Sequence, residues 1–289
     1  MTVAAHQNTA LIPELGSGLG YRRELKDGIV AARDEIDFLE IVADQFLYDP
    51  ESVDELEELC EEFTVIPHGI GLSIGSPVRD TRYLQGIKRI SDITAAPYYS
   101  EHLAMTRAPG IDLGHLSPLW FATPTLRCAI DNVDRVQDLL GKPLVLENIT
   151  YSFEIPSAGM TQGEFFASLV DATGCGVLLD VTNVHINSEN HHFDAVQFLK
   201  SMPLNRVVQI HLAGGYLKDG LLVDGHSEPV GEGTWALLEA LTELVHVRAS
   251  ILEHDANFPE SIEMLVDQVA RARTIMQRQC AGGAGREHA

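Results

Sequence analysis

The sequence predicts a single closed (β/α)8 barrel, on three observations. Eight short apolar runs alternate with longer amphipathic ones along the whole chain, with no linker between them. The length of 289 residues suits one such barrel, a fold of about 250 residues before insertions. A carboxylate or an imidazole closes nearly every apolar run, as expected where all strand ends share one rim.

The first run, 15–20 (LGSGLG), is Gly-rich and has no long amphipathic stretch after it, but a closed barrel needs it as the eighth strand. The others are 36–42 (IDFLEIV), 64–70 (TVIPHGI), 98–105 (YYSEHLAM), 143–149 (PLVLENI), 176–181 (GVLLDV), 207–213 (VVQIHLA) and 248–254 (RASILEH). Between and after them, 51–62, 79–95, 124–140, 161–173, 193–201, 234–245 and 259–278 space their apolar residues at the helical period. One domain is expected over 10–280, with 1–9 and 281–289, which lack periodicity, as mobile termini.

Composition excludes several functions. A net charge of -22, from 42 acidic against 20 basic residues, repels a phosphate backbone, so nucleic acid is not an expected partner. No run of eighteen apolar residues and no basic-then-apolar start occurs, so a cytoplasmic protein without a membrane span is expected. Cys60, Cys128, Cys175 and Cys280 are widely spaced and form no CxxC, which argues against a disulfide framework or a thiolate zinc site. No GxGxxG, Walker A or GxSxG motif stands between a strand and a helix.

The strand ends carry the chemistry. Glu40, His68, His102, Glu147, Asp180, His211 and Glu253 close the second to eighth runs and should converge on the C-terminal mouth. Singly, such a His is more often a hydrogen-bonded core residue and such an Asp a helix cap. Jointly, they would repel or stay unpaired unless cations held them. Asp224 and His226, two apart, face the same way if their segment is extended; a polar hairpin tip is the alternative. In "LLDVTNVHIN" (178–187), Asp180 and Asn183 cannot share a strand face, so the chain must turn after Val181 to point both inward, with His185 behind them. Nitrogen and oxygen donors suit iron, manganese or zinc. Nine donors (His68, His102, Glu147, Asp180, Asn183, His211, Asp224, His226 and Glu253) exceed what one ion takes, so two or three metals are implied, bridged by Glu147 or Asp180. Arg22, Glu40, Asp44, His185 and Tyr216 are expected to face the substrate. For Arg22 a carboxylate contact competes with a surface or capping role, and no acid or base is singled out as catalytic.

Seven ordered segments, "IPHGIGLSIGS", "SEHLAM", "VLENITYSF", "CGVLLDVTNVHIN", "VVQIHLAGG", "VDGHSEPV" and "ILEHD", resemble the multinuclear non-heme iron-dependent oxidative enzymes, a family that includes the iron enzyme of methanobactin biosynthesis. The resemblance covers about residues 16 to 270. It implies a TIM barrel holding two or three irons, Fe(II)/Fe(III), on the same nine residues, with dioxygen as co-substrate. The implied substrate is a ribosomally made peptide, modified most often at cysteine; many relatives work with a partner that recognises the leader, so the resemblance implies either a separate partner protein or a substrate without a leader. The chain departs from the family pattern at Asp44-Gln45 (Glu-Asn), Thr182 (Asn), Gly215 (His) and His254 (Trp). Outside the resemblance, the competing readings are a divalent-metal sugar isomerase or epimerase, a three-metal apurinic endonuclease, which the charge opposes, and a metal-binding protein without turnover.

Overall fold

The computed structural model describes residues 9–77, 80–153, 155–156 and 159–283. In chain order the elements are β1 Gly16–Gly20, α1 Lys26–Ala31, β2 Leu39–Val42, α2 Pro50–Glu62, β3 Val65–Gly69, α3 Thr81–Thr94, β4 Tyr99–His102, β5 Met105–Ala108, β6 Ile111–Ser117, α4 Thr123–Leu140, β7 Leu144–Glu147, α5 Gln162–Thr173, β8 Gly176–Asp180, α6 Val181–His191, α7 Ala195–Ser201, β9 Val207–Ala213, β10 Tyr216–Lys218, β11 Leu221–Val223, α8 Glu232–Leu244, β12 Ala249–Glu253 and α9 Glu263–Gly283. Eight of the strands form a closed parallel barrel in the order β1-β12-β9-β8-β7-β4-β3-β2. This is the TIM barrel the sequence predicts.

The Gly-rich β1 closes the ring. It pairs Gly16 with Ala249 through Leu19 with Leu252 on one side, and Leu19 with Leu39 on the other. Its composition follows from crowding: a Cβ on Gly18 would lie 2.3 Å from the Phe38 carbonyl oxygen.

Two cores result from the pleat. Outward residues pack under the helices in one large apolar layer, with Leu19, Ile41, Leu144, Leu146, Leu179 and Ile210 fully buried in it. Inward residues of the lower barrel, Phe38, Ile66, Tyr98, Val145, Leu178 and Ile251, form a separate plug. Because strand side chains alternate with a period of two, the inward position two residues further up each strand is His68, Ser100, Glu147, Asp180 and Glu253, with Glu40 of β2 set lower by its register with Ile66. An apolar floor thus carries a polar storey at the C-terminal mouth.

Three features lay beyond the sequence reading. Segment 98–105 divides, β4 ending at His102 and β5 pairing with β6 as an antiparallel hairpin. A second hairpin, β10–β11, stands over the mouth. Helix α6 starts at the first residue after β8, on a β-branched and Asn-rich sequence of poor helix propensity. It forms because Asp180 caps it, accepting from Asn183 N at 2.6 Å, and because Thr182 ties it to Ala213 of β9. Of the ends expected to be mobile, Thr9 lies in a 3-10 turn (Thr9–Leu11) and α9 runs to Gly283, whereas 1–8 and 284–289 lie outside the described residues.

Gly18→Ala should destabilise the protein by about 1–3 kcal/mol through overpacking against Phe38, measured as a lowered urea midpoint. Gly20→Ala, where the nearest atoms to a new Cβ are 3.4 Å away, should be tolerated. Equal stability of the two variants would contradict this packing of β1 on β2.

Candidate metal centre

The polar storey opens into a cavity of about 210 Å³ at the C-terminal mouth. It is lined by His68 from β3, His102 from β4, Glu147 from β7, Asp180 from β8 and Glu253 from β12, together with Asn183 in α6 and Asp224 and His226 in the loop after β11. His211, which the sequence reading put at a strand end, sits within the longer β9, opposite Asp180 on one side and Ile251 on the other. It is fully buried beneath the cavity, with Nδ1 at 3.4 Å from Glu147 Oε1 and 3.2 Å from Glu253 Oε2.

Hydrogen bonds to the outer ring nitrogens decide what the imidazoles present. His68 Nδ1 lies 3.0 Å from Ser100 Oγ, whose hydroxyl donates to Pro67 O, and His102 Nδ1 donates to Gly69 O at 3.0 Å. That pattern turns both Nε2 atoms inward as acceptors, 3.4 Å from each other and 3.1 and 3.4 Å from Glu147 Oε2. Three electron-rich atoms so close need a proton or a cation among them. On the other side of Glu147, His211 Nε2 lies 2.8 Å from Glu40 Oε1 and 2.9 Å from Gln209 Nε2, and Glu40 Oε2 accepts from Gln209 Nε2 at 2.5 Å. His211 Nδ1 is thereby aimed at Glu147, Glu253 and Asp180. Donor atoms of His68, His102 and Glu147 lie within 4.8 Å of one another, as do those of Glu147, Asp180 and His211, and those of Glu40, His68 and His211. Glu147 belongs to two of these groups, as do His68 and His211.

Among the described residues, four buried atoms in this storey have no hydrogen-bond partner: Glu147 Oε2, Asp180 Oδ2, Asn183 Oδ1 and His211 Nδ1. Each has its other polar atom occupied or directed: Asp180 Oδ1 caps α6, and Asn183 Nδ2 donates to Asn148 O at 3.0 Å. Leaving such groups unpaired costs free energy that coordination removes, so the residues present fit a metal. Asp224 Oδ1 and His226 Nε2 approach to 2.8 Å at the rim. Their segment is not an extended strand: His226 has φ 47°, held there by Asp255 N donating to its carbonyl at 2.6 Å.

Electrostatics record the same crowding. Burial, followed by the charges of Glu147 and Asp224, holds the Asp180 carboxyl well above the usual carboxylate range. For His102, burial opposes the charged form, but Glu147 and Glu101 outweigh it and raise the imidazole to about 9. His211 is likewise raised against burial by Glu253, Glu40 and Glu147, and Glu147 is lowered against burial by His102 and His211. Without a cation, protons occupy the positions between the ligands.

Not every expected residue faces the cavity. Glu40 pairs with Ile66 while Val42 pairs with His68, so it lies one pleat below the ligands and holds His211 rather than substrate. Asp44 accepts from Ile70 N at 2.9 Å and Tyr83 Oη at 3.1 Å, anchoring the turn after β3. His185 packs its ring on Gly233 of α8, where a Cβ would come within 2.4 Å. Tyr216 is half-exposed on β10 and covers Gly225. Arg22 does line the cavity, with Nη2 2.5 Å from Asp255 Oδ1 and Nη1 donating to Tyr21 O at 2.7 Å. Missed from the sequence were Ser100, Glu101, Asn148, Gln209 and Asp255, which orient ligands. Glu101 accepts from His102 N at 2.9 Å; Asn148 exchanges hydrogen bonds with the Asp180 backbone at 2.9 and 3.0 Å; Asp255 Oδ2 lies 3.2 Å from His226 Nδ1. "SEH", "LEN" and "EHD" hold Glu101, Asn148 and Asp255 within two residues of a candidate donor, a signal the sequence did carry.

A family model described as RiPP precursor modification enzyme MbnB/TglH/ChrH matches residues 16–277. The UPF0276 protein of Shewanella sediminis is 35% identical over 258 residues, covering 87% of this chain and 92% of its own. That of Caulobacter vibrioides is 32% identical over 273 residues, covering 93% and 98%. Among solved structures, an L-ribulose 3-epimerase superposes with TM-score 0.54 at 15% identity over 96% of this chain and 97% of its own. The 3-keto-D-glucoside 4-epimerase YcjR from E. coli gives 0.54 at 15% over 89% and 98%. At that identity the likeness is one of fold.

Because His102 stands at about 9 in the folded chain, against about 6.5 unfolded, the stability it contributes is complete below about pH 6.5 and is lost as pH rises through its folded value. Chelator-treated protein should therefore melt lower at pH 9 than at pH 6.5, while apparent metal affinity rises over the same window. A flat melting profile without metal would contradict the protonated cluster.

Proposed function

The chain belongs to the MbnB/TglH/ChrH family of RiPP precursor modification enzymes, and from that premise we propose that it is a multinuclear non-heme iron oxidoreductase that uses dioxygen to modify a residue, foremost cysteine, of a ribosomally made peptide. The observation that carries the reading is the set of buried nitrogen and oxygen donors, four of them without hydrogen-bond partners, gathered around Glu147 at the mouth of a peptide-modifying barrel. Two positions for iron follow from the two donor groups that share Glu147, and the Asp224–His226–Glu253 side supplies donors for a third. Iron, when bound, supplies a one-electron redox couple and lowers the pKa of a coordinated thiol.

The chain's own residues do the rest. Ser100, Gly69 and Glu40 hold the outer nitrogens of His68, His102 and His211, so the ligand atoms are aimed in advance. Val42, Ile70, Leu116 and Ile149 line the cavity beside the ligands and exclude water from it. Arg22 is the one Lys or Arg among the described cavity-lining residues, and its fork, tethered to Asp255, suits a substrate carboxylate. A separate leader-recognising protein belongs to this reading. Exposed Ile111, Trp120, Phe153, Leu217 and Leu221, on the segments that follow the barrel strands, support it by offering an apolar rim. The departures from the family pattern leave the set of nine candidate donors intact. At Gly215, where the family carries His, a Cβ would lie 2.6 Å from Val223 O, and His254 is buried against Phe258.

Iron-supplemented expression should yield about two to three irons per chain, with dioxygen uptake dependent on a cysteine-bearing peptide; recovery of one zinc and no uptake would sink the reading. His211→Ala and Glu147→Gln should each lose at least one ion by elemental analysis while the far-ultraviolet spectrum stays that of a folded barrel. Arg22→Lys should lower turnover at least about tenfold by loss of a bidentate contact while iron content stays at the wild-type level; parallel loss of both would place Arg22 in metal binding instead.

A further inference from the structure

A second cavity, of about 330 Å³, lies beside the metal-lined one, walled by Leu103, Leu119, Phe121, Ile149, Met160 and Phe198 among others, and none of its described lining residues is charged. In a chain of net charge -22 that composition is selective: the site suits an uncharged, apolar occupant. The two cavities touch. Ile149 lines both, and a third hollow joins them, sharing Leu116, Thr150 and Asp224 with the metal cavity and Pro118, Tyr151 and Phe153 with the apolar one. The common wall is the segment that leaves β7: Glu147 is a ligand, Ile149 stands two residues on, and Tyr151 four. At about 3.4 Å per residue that span is at most ~14 Å, the reach of a few peptide residues.

This wall is held in place. Asn187 of α6 donates to Ile149 O at 3.0 Å and accepts from Tyr151 N at 3.1 Å, and the His191 ring stacks on Tyr151 at 4.5 Å while its Nε2 lies 2.8 Å from Tyr151 O. The opposite wall is closed by Gly159 N and Met160 N, both donating to Phe121 O, at 2.9 and 3.1 Å. An apolar cavity fixed by hydrogen bonds on two sides is a preformed receptor rather than a packing gap.

We infer that this cavity is a specificity subsite for a large aromatic or aliphatic side chain of the peptide, within about three residues of the residue seated in the metal cavity. The inference rests on the peptide-modifying reading of the same mouth and adds to it a sequence requirement on the substrate. Ile149 separates the two chambers, so a peptide laid across it places one side chain among the ligands and a neighbour among Phe121, Met160 and Phe198. A free apolar small molecule is the other occupant of matching chemistry, but continuity with the metal cavity favours a side chain on the same chain as the reacting residue.

The test uses the iron-loaded protein without dioxygen and a set of capped peptides, acetyl-Cys-(Gly)n-Phe-amide and acetyl-Phe-(Gly)n-Cys-amide with n from none to three, each beside its Phe→Ala twin, titrated calorimetrically. Burial of one aromatic side chain predicts at least about tenfold tighter binding of the Phe peptide at one or more spacings. Met160→Trp, which fills the cavity, should erase that ratio and leave iron content and the affinity for the Ala twin unchanged. Phe198→Ala, which enlarges it, should move the preference from Phe to Trp peptides, and it decides the matter if the first variant does not fold. Equal affinity of the twins at every spacing, no binding by any peptide, or a ratio that survives both variants overturns the inference. So does acetyl-phenylalanine amide binding alone as tightly as the linked peptides, which would make the cavity a small-molecule site. Replacing Cys by Ser separates the two claims: a Phe preference that persists with no loss of affinity sustains the subsite and removes cysteine from the proposed function.

Discussion

Everything at the mouth of this barrel depends on one electrostatic constraint: carboxylates and imidazoles are buried there too close together to coexist without something positive among them. Around Glu147, His68 and His102 bring two ring nitrogens within 3.4 Å of one carboxylate oxygen, and His211 approaches the other. In the low dielectric of a barrel interior, such an arrangement is costly when bare and strong when a cation sits in it. The raised imidazoles and the raised Asp180 carboxyl are the same constraint met by protons. Metal binding, proton binding and stability are therefore linked at a single place.

The surrounding architecture keeps that cost from being relieved by movement. Below the ligands the plug of Phe38, Ile66, Tyr98, Val145, Leu178 and Ile251 denies them any retreat into the barrel. Beside them, Glu40, Ser100, Glu101 and Asn148 bond the ligands or their backbone and fix which atom of each faces inward. Above them the β10–β11 hairpin and the turn at His226 carry two more donors over the mouth, tied down through Asp255. Preorganisation of this kind fixes the geometry of the candidate donors before any cation arrives.

The same segment that supplies the central ligand also builds the walls where substrate would lie. From Glu147 through Ile149 to Tyr151 the chain passes from ligand to partition to aromatic wall, pinned along α6 by Asn187 and His191. Chemistry and recognition are thus covalently adjacent. In a barrel the loops can vary without disturbing the strands beneath, so recognition can change while the strand-end residues stay in place. Gly215 and His254, two of this chain's departures from the family pattern, lie at such strand-to-loop junctions.

Sequence alone determined the barrel and which polar residues gather at its mouth. Eight apolar runs match eight strands because burial on both faces leaves a strong apolar signal, and most of the candidate donors were legible because each is a polar residue interrupting that signal near a strand end. Depth was not legible. A period of two tells which face a side chain takes, but the stagger between neighbouring strands sets its height, and that is a property of the closed sheet; hence Glu40 is a support beneath the site rather than part of its surface, and His211 is a ligand from within a strand. Tertiary structure also decided that His185 turns away to α8, because α6 begins at Val181 and a helix, unlike a strand, sends residues 183 and 185 to different sides. Asn148 and Gln209 escaped notice for the same reason: an amide inside an apolar run announces nothing until the packed barrel shows which backbone or imidazole it must satisfy.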